Sequence, residues 1–298
     1  MSLEFWYMFP IGIAIATIAM ASGVEGATFF TPLFLLGLKL PTAVAIGTGL
    51  ITEVFGFSSG LYAYIKKGLI DYQLGRMLLL FSIPSALIGT WVAGFIPSDI
   101  LKTILSIGLL VIATSFLRSP EEKTVELLDQ QNTDFEKKEP ETCLTTNTGE
   151  TFCYTISDRA EGRLLISIGG LFIGMISTGL GQLNGFFLIQ RCHIPSKVAV
   201  ATSVFIVAIT ALIASVGHVF QFIQAGGETL NTVSNLVIFT VPGVLIGAQL
   251  GSSIANRLSQ KLLEKSMGVL FIFVGCLILG EVIIRNQDHL TNIVSTSF

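Results

Sequence analysis

The stretch GVEGATFFTP, residues 23–32, decides how the first part of this chain folds. It interrupts an apolar run, residues 5–38, in which Glu25 is the only charged residue. At ~1.5 Å per helical residue, that run is too long for one simple crossing of ~30 Å of hydrocarbon and too short for two. Gly23, Gly26 and Pro32 stand where a helix would have to break. The sequence therefore predicts an interrupted helix with an ionisable side chain at the interruption.

The composition is that of a polytopic membrane protein. Of 298 residues, 51% are hydrophobic and 12% are charged, against a usual charged share of about 25%. Residues 77–98, 164–190 and 229–256 contain no charged side chain, and each stretch is long enough to span a bilayer. There is no basic surface for a nucleic acid. We therefore expect the lipid bilayer as the surroundings and a multi-pass protein of the plasma membrane.

Eight hydrophobic segments predict an all-α membrane fold of about eight transmembrane helices in two four-helix repeats. They lie near 5–22 (continuing to 37), 42–64, 74–95, 100–117, 164–190, 198–225, 232–255 and 263–284. The expected organisation is a first transmembrane repeat at 1–117, a polar linker at 118–160 and a second transmembrane repeat at 161–298. The first helix of each repeat is expected to be broken.

Two collinear matches support the duplication. PTAVAIGTG (41–49) resembles PSKVAVATS (195–203), and IPSALIG (83–89) resembles VPGVLIG (241–247). An even number of crossings per half would give both halves one orientation, with the termini and the linker on the same side; a different number of crossings in an opening segment would make the repeats inverted. The positive-inside rule then slightly favours the termini in the cytoplasm.

The second half carries its own interruption at GLGQLNG, residues 179–185. Non-helical backbone at membrane depth persists only where protein or a water-filled cavity satisfies its amides. Paired interruptions in two halves are therefore the best pointer to a transporter's binding site. For other mid-segment glycines, such as the Gly170/Gly174 and Gly247/Gly251 pairs, close helix packing is the favoured interpretation.

These motifs, in this order and in both halves, resemble the sulfite exporter TauE/SafE family. The glycine-rich segment running into FFTPLFL, then PTAVAIGTG and the turn KKGLID carry the resemblance, and NGFFLI with PSKVAVATS repeats it. The resemblance implies eight helices and transport of small anions, chiefly sulfite, organosulfonates and related sulfur or carboxylate anions. Similar members usually have a run of glycines where Glu25 stands, so a simple anion site on the first repeat does not follow.

Backbone amides at helix N-termini can bind an anion without a fixed cation. Glycines would let those amides approach the substrate, and nearby polar side chains would add hydrogen bonds; threonines can equally bond their own helix. The predicted substrate-binding residues are Gly23, Gly26, Thr28, Thr48, Gly179, Gly181, Gln182, Asn184, Gly185 and Thr202.

Two acidic residues, Glu25 and Glu53, are predicted to be protonated, paired or facing a cavity, because an ionised carboxylate in lipid costs roughly 2.5–3.5 kcal/mol. The hypothesis is that one of them takes up the proton that is coupled to anion movement. The alternatives are a snorkelling Glu25 and a Glu53 that hydrogen-bonds between helices. His218 is interpreted as an interfacial or packing histidine rather than a proton relay.

The linker segment 143–156 predicts a small β-hairpin, in which Cys143 and Cys153 form a disulfide in an oxidising compartment or stay as thiols in the cytoplasm. No metal site or cofactor is expected. The sequence has no H-E-x-x-H helix, G-x-S-x-G elbow or nucleotide-binding loop, so a secondary transporter is favoured over an enzyme. A passive channel and, less favoured, a membrane-embedded enzyme remain the alternatives, and a homo-oligomer stays open.

Overall fold

The part of the chain that the structure describes folds almost entirely into α-helices, with one small β-hairpin. The computed structural model describes residues 3–22, 24–117, 142–147, 149–156, 158–254 and 260–296. The helices are α1 (Met8–Ser22), α2 (Ala27–Pro32), α3 (Thr42–Lys67), α4 (Tyr72–Ala93), α5 (Ser98–Leu117), α6 (Arg159–Ile176), α7 (Leu180–Gly185), α8 (Ser196–Ala225), α9 (Gly227–Ile254) and α10 (Gln260–Thr296). The strands are β1 (Thr142–Thr145) and β2 (Thr151–Tyr154).

Six helices of the described part are long and apolar enough to cross a membrane. They are α3, α4, α5, α8, residues Gly227–Gly251 of α9 and residues Lys265–Arg285 of α10. Large apolar side chains such as Trp91 and Phe220 are exposed on their outer faces, as expected of surfaces that face lipid. The prediction of an all-α membrane protein is confirmed.

The first predicted crossing is a helical hairpin that folds back on itself. Helix α1 ends at Ser22, and α2 returns and continues through a π-helical turn at Leu33–Gly37. Side chains from the beginning of this segment, Glu4 and Tyr7, line the same cavity as Leu38 and Leu40 from its end. Both ends therefore lie at one end of the molecule. We call residues 8–37 the first hairpin.

The segment 164–190 folds back in the same way. Helix α6 ends at Ile176, and α7 returns and continues through a π-helical turn at Phe186–Arg191. The Phe187 ring packs on Gly162, and Arg191 makes a bidentate ion pair with Glu161 at 2.7–3.1 Å. These contacts bring the end of the segment back beside its beginning. Residues 159–191 are the second hairpin.

Backbone geometry after the two π-helical turns is the same at positions 154 residues apart. The Leu40 amide donates to the Phe34 carbonyl at 3.1 Å, and the Ile194 amide donates to the Leu188 carbonyl at 2.9 Å. Lys39 and His193 each have a φ of 52°, in the left-handed region. A proline, Pro41 or Pro195, then precedes the long helix α3 or α8.

Folding back of the hairpins puts the linker and the termini at opposite ends. Three helices follow each hairpin, and α5 and α10 run antiparallel, with Lys102 against Glu281 at 2.7 Å and Asp99 against Arg285 at 2.6 Å. The expectation of an even number of crossings per half is not supported by this geometry, because the first segment of each half returns to the end of the molecule where it begins. We call the end with Lys67 and the β-hairpin the linker end, and the opposite end the termini end.

Close helix packing explains the mid-segment glycines. A Cβ on Gly170 would lie 2.6 Å from the Ser82 carbonyl oxygen, and one on Gly174 would overlap the Ala86 carbonyl, so α6 touches the backbone of α4. Gly247 and Gly251 touch the backbone of α1 in the same manner. The packing interpretation of these pairs is confirmed.

The predicted β-hairpin is present and is docked on the linker end. Cys143 lies opposite Cys153 in the antiparallel register, and the two form a disulfide. The Tyr154 hydroxyl donates to Asp71 Oδ2 at 2.7 Å, and the Asn147 side-chain amide donates to the Lys66 carbonyl at 3.0 Å. Burial and the Asp71 carboxylate raise the pKa of Tyr154, so the phenol stays a hydrogen-bond donor at neutral pH.

Candidate functional site

The tips of the two hairpins meet, and Glu25 joins them. Glu25 lies between α1 and α2 and is 3% exposed. Its Oε2 accepts hydrogen bonds from the Thr178 hydroxyl and the Gly179 amide, both at 3.0 Å. Its Oε1 accepts from the Gly181 amide at 2.5 Å. The side chain therefore neither snorkels to water nor faces lipid: three donors of the second hairpin bind it.

Two further hydrogen bonds between hydroxyl groups cross the junction of the tips. Thr28 Oγ1 lies 2.9 Å from Thr178 Oγ1, and because Thr178 donates to Glu25, Thr28 is the donor in this pair. Thr31 Oγ1 lies 2.7 Å from Ser177 Oγ. All these side chains are buried. A continuous polar contact thus lies among otherwise apolar helices.

Local backbone geometry in the second tip explains why its amides are available. Ser177, which directly follows the end of α6, has a φ of 59°, and Gly179 has a φ of 108°, a conformation that favours glycine. The chain turns sharply there, which leaves the amides of Gly179 and Gly181 without helical acceptors. At Gly181 a Cβ would lie 2.6 Å from Glu25 Oε1, so the carboxylate occupies the space that a side chain would need.

Glu53 is a second buried carboxyl group beside the junction. It lies on α3, is 2% exposed, and neither of its oxygens has a hydrogen-bond partner in the described part of the chain. The backbone amides of Gly26 and Ala27 face it, and Glu25 is close enough for the two carboxyl groups to repel each other when both are charged. The site thus contains one satisfied and one unsatisfied carboxyl group.

A cavity of about 110 Å³ lies next to Glu53. It extends from Gly26 at the tip of the first hairpin toward the linker end, where Tyr64 and Val200 line it. Its wall is mostly apolar, with Glu53 as the acidic group. The lining residues are Ala16, Ala19, Met20, Val24, Gly26, Phe30, Glu53, Gly56, Phe57, Gly60, Tyr64, Val200, Val204, Val244 and Ala248.

The structure brings many of the predicted site residues to the two tips. Gly26 lines the cavity, Thr28 belongs to the polar contact, and Gly179 and Gly181 bind Glu25. Gly185, at the end of α7, has open space where a Cβ would stand. Gly23 lies outside the described residues.

The remaining polar candidates differ in their surroundings. Thr48 Oγ1, Gln182 Oε1 and both side-chain amide atoms of Asn184 are buried without a hydrogen-bond partner among the described residues. Thr202 is not at the tips: its hydroxyl accepts from the Asp71 amide at 3.0 Å, in the turn between α3 and α4. Three of these four side chains therefore have unused hydrogen-bonding capacity inside the protein.

Sequence reasoning missed Ser177, Thr178 and Thr31, which build most of the junction. Ser177 and Thr178 directly precede the glycine-rich turn at Gly179, and small hydroxyl residues beside a helix break were the available signal. No local sequence pattern could predict that Glu25 pairs with donors more than 150 positions away.

Metal binding has no support in the described residues, where no group of three or more His, Cys, Asp or Glu side chains converges. His218 is fully buried, its Nε2 lies 2.9 Å from the Gly174 carbonyl oxygen, and its Nδ1 lies 3.2 Å from Gln221 Oε1. This is the packing histidine that the sequence suggested.

Comparison with known proteins places this architecture among membrane transporters. The chain is 25% identical over 289 residues to "Probable membrane transporter protein YunE" of Bacillus subtilis (strain 168), covering 94% of this chain and 98% of that protein. It is 25% identical over 272 residues to "Probable membrane transporter protein YjnA" of the same organism, covering 83% and 90%. These relatives are named as transporters, not enzymes. No solved structure is significantly similar to the chain.

The family described as "Sulfite exporter TauE/SafE" matches residues 8–278, which include both hairpins, five of the six candidate membrane-spanning helices and most of the sixth. With a match over nearly the whole chain, this protein belongs to the sulfite exporter TauE/SafE family of membrane transporters.

Proposed function

We propose that the protein is a secondary transporter that exports a small anion, such as sulfite or an organosulfonate, across the plasma membrane in a proton-coupled step. The observation that carries the proposal is the binding of the Glu25 carboxylate by the Thr178 hydroxyl and the amides of Gly179 and Gly181. Donors that hold a buried carboxylate have the geometry and polarity to hold a small oxyanion of the same charge. No fixed cation is needed for this binding.

Proton coupling follows from competition for these donors. As long as Glu25 is ionised and bound, the donors of the second tip are occupied. Protonation of Glu25 removes the charge that those donors stabilise, and an anion can then take its place. Glu53, the unsatisfied neighbour, lies beside the cavity and offers a route for the proton between the linker end and Glu25.

Other polar groups supply further contacts for the anion. Asn184, on the second tip, has an unpartnered amide nitrogen that can donate to an anion, and the unpartnered amide oxygens of Asn184 and Gln182 can accept from a protonated group. Thr48 offers a hydroxyl on α3. Buried polar atoms without partners are costly and uncommon in a folded chain, so a polar ligand that satisfies them is the simplest reason for their presence.

The arrangement in the membrane consists of two inverted repeats, each with a re-entrant hairpin and three crossing helices, in place of eight crossings. Support comes from the matching backbone geometry of Lys39 and His193 and from the antiparallel pairing of α5 with α10. In this arrangement the repeats are related by an axis in the membrane plane, and the site lies where the hairpins meet at its midplane.

The linker end faces the cytoplasm in this proposal. Among the described side chains, eight lysines and arginines lie at the linker end and three at the termini end. The first group is Lys66, Lys67, Arg76, Arg159, Arg163, Arg191, Lys197 and Lys265, and the second is Lys39, Lys102 and Arg285. The positive-inside rule therefore reverses the earlier expectation for the termini, because the linker no longer shares their side.

Flux measurements in proteoliposomes test the proposal. Purified protein is reconstituted, and uptake of radiolabelled sulfite, sulfate, thiosulfate, taurine and small carboxylates is measured with and without a proton gradient. We expect saturable uptake of a sulfur-containing anion that exceeds equilibrium when the gradient is present. Downhill flux that never exceeds equilibrium would identify a passive channel. Flux equal to that of protein-free liposomes for every anion would contradict the proposal.

A further inference from the structure

The two ends of the proposed pathway differ in the same structure. Several residues of the first half line the open cavity at the linker end. Their counterparts in the second half, 154 positions later, are fully packed toward the termini end. Four such pairs on α3 and α8 are Gly56/Thr210, Phe57/Ala211, Gly60/Ala214 and Tyr64/His218. The first member of each pair is partly exposed, and the second is buried.

Facing residues show the same difference. Val200 and Val204 line the open cavity, whereas Ile46 and Leu50, which stand 154 positions earlier, are 0% exposed. Met20, another lining residue, corresponds to Gly174. Applying the 158-residue offset of the IPSALIG and VPGVLIG match, the lining residue Ala248 corresponds to Thr90, which is 3% exposed. The packed counterpart of the cavity therefore surrounds Gly174, Thr90 and His218.

A hydrogen-bonded clamp closes this packed region. His218 Nε2 lies 2.9 Å from the Gly174 carbonyl oxygen, and Nδ1 lies 3.2 Å from Gln221 Oε1; both oxygens are acceptors, so a neutral imidazole donates its one N–H to one of the two. The Gln221 side-chain amide donates to the Thr90 carbonyl at 2.7 Å. Helix α8 is thereby bonded to α6 and to α4 at one level. We call His218, Gln221, Gly174 and Thr90 the termini gate.

Asn184 indicates that the packed region contacts water or a polar ligand in another state of the protein. It corresponds to Phe30, which lines the open cavity, and it is 0% exposed. Both of its side-chain amide atoms lack a hydrogen-bond partner among the described residues. A buried side-chain amide that lacks hydrogen-bond partners in one state of the protein is expected to contact water or a polar ligand in another state.

We infer that the termini gate closes a second vestibule, and that transport alternates between this structure and a state in which the vestibule at the termini end is open. In that second state Thr210, Ala214 and Asn184 face water, and the cavity around Tyr64 is closed. Opening requires the His218 and Gln221 hydrogen bonds to break. This inference rests on the proposed transport function, and its first test needs no substrate.

Thiol accessibility tests the gate directly. In a background with Cys192 and Cys276 replaced by alanine, Ala214→Cys is exposed to a membrane-impermeant maleimide from the termini end, with and without Gln221→Ala. We expect slow labelling alone and at least tenfold faster labelling when Gln221 is removed. Ala113→Cys, equally buried between α5 and α10 away from the gate, is the matched control and stays unlabelled in both backgrounds.

Unchanged labelling of Ala214→Cys in the Gln221→Ala background would overturn the inference. Equal acceleration at Ala113→Cys would overturn it too, since that result means general loosening rather than gate opening. Accelerated labelling in a protein that shows no anion flux would support the gate and contradict the proposed transport function. Failure of the gate and failure of the transport function are therefore distinguishable.

A covalent lock provides the second test. An ideal Cβ on Gly217 would lie 3.6 Å from the Thr90 Cβ, within the Cβ–Cβ range of roughly 3.5–4.5 Å that a disulfide requires. We expect oxidised Thr90→Cys/Gly217→Cys to lose at least 90% of anion flux and to recover it after reduction. The single variants and the unmodified chain, treated alike, control for the native cysteines. Full flux in the oxidised double variant would overturn the gate while leaving the transport function intact.

Discussion

The contact between Gly181 and Glu25 yields a prediction with a built-in control. In Gly181→Ala the new methyl carbon would lie 2.6 Å from Glu25 Oε1, and the carboxylate has to retreat by roughly 0.7 Å to relieve the overlap. The hydrogen bond from the Gly181 amide, 2.5 Å long in the structure, is then lost or badly weakened. A hydrogen bond to a charged group contributes about 1.5–3 kcal/mol.

Gly185→Ala provides the comparison on the same short helix. A Cβ at Gly185 meets nothing within 4 Å, and the backbone there is helical. Each substitution gains about 1 kcal/mol of helix propensity, so that gain cancels between the two variants. The free energies of unfolding should therefore differ by the hydrogen bond alone, about 1.5–3 kcal/mol in favour of Gly185→Ala.

Thermal unfolding in detergent measures this difference. At roughly 2 °C per kcal/mol for a chain of this length, Gly181→Ala should melt about 3–6 °C below Gly185→Ala. Size-exclusion chromatography confirms that both variants are monodisperse before the comparison. Equal melting temperatures, or a higher one for Gly181→Ala, would refute the assignment of Glu25 as the bonded link between the two tips.

Three further outcomes are expected. Tyr154→Phe removes the hydrogen-bond donor to Asp71 and should weaken docking of the β-hairpin by about 1–3 kcal/mol, so that protease cleaves it faster; an unchanged cleavage rate would contradict the docking. Because burial and Asp71 raise the pKa of Tyr154 above its ordinary value of about 10, the protection of the unmodified chain should persist to pH 9 and fail only in stronger alkali; loss between pH 6 and 9 would argue against that phenol as the donor. The structure joins Cys143 and Cys153 by a disulfide, whereas a cytoplasmic linker end requires both to be reduced in intact cells, which alkylation and mass spectrometry would show; a disulfide that persists in cells would contradict the proposed orientation and place the linker outside.

The helix breaks were predictable from local chemistry. Glycine density in both segments indicates the interruptions that the structure has between α1 and α2 and between α6 and α7. The prediction that Pro32 breaks the helix is wrong, because Pro32 lies inside the helical run Ala27–Gly37. The charge-free stretches likewise predict helices, because a lipid environment leaves apolar sequences few alternatives. Glu25 was recognised as unusual because an ionised carboxylate is costly in a lipid environment.

The direction of the chain after each break was not predictable. A run of 34 residues fits either a bent crossing or a return, and the return is determined by contacts with distant elements. Thr31 bonds Ser177 in the other half, and Phe187 packs on Gly162. The end of the molecule at which the linker lies follows from those contacts, so the segment count alone could not predict how the helices are arranged. The hydrogen-bond donors to Glu25 could not be predicted either, because they lie in the other half of the chain.

Proton-driven anion uptake in proteoliposomes, compared among the unmodified protein, Glu25→Gln and Glu53→Gln after a pH jump, tests the central claim most directly. Glu228→Gln, which changes an exposed acid at the start of α9, is the matched control. The unmodified protein and the control should accumulate the anion above equilibrium when the proton gradient is imposed. At least one of the Glu25 and Glu53 variants should lose that dependence on the gradient. The same proton dependence in all four proteins would contradict the account.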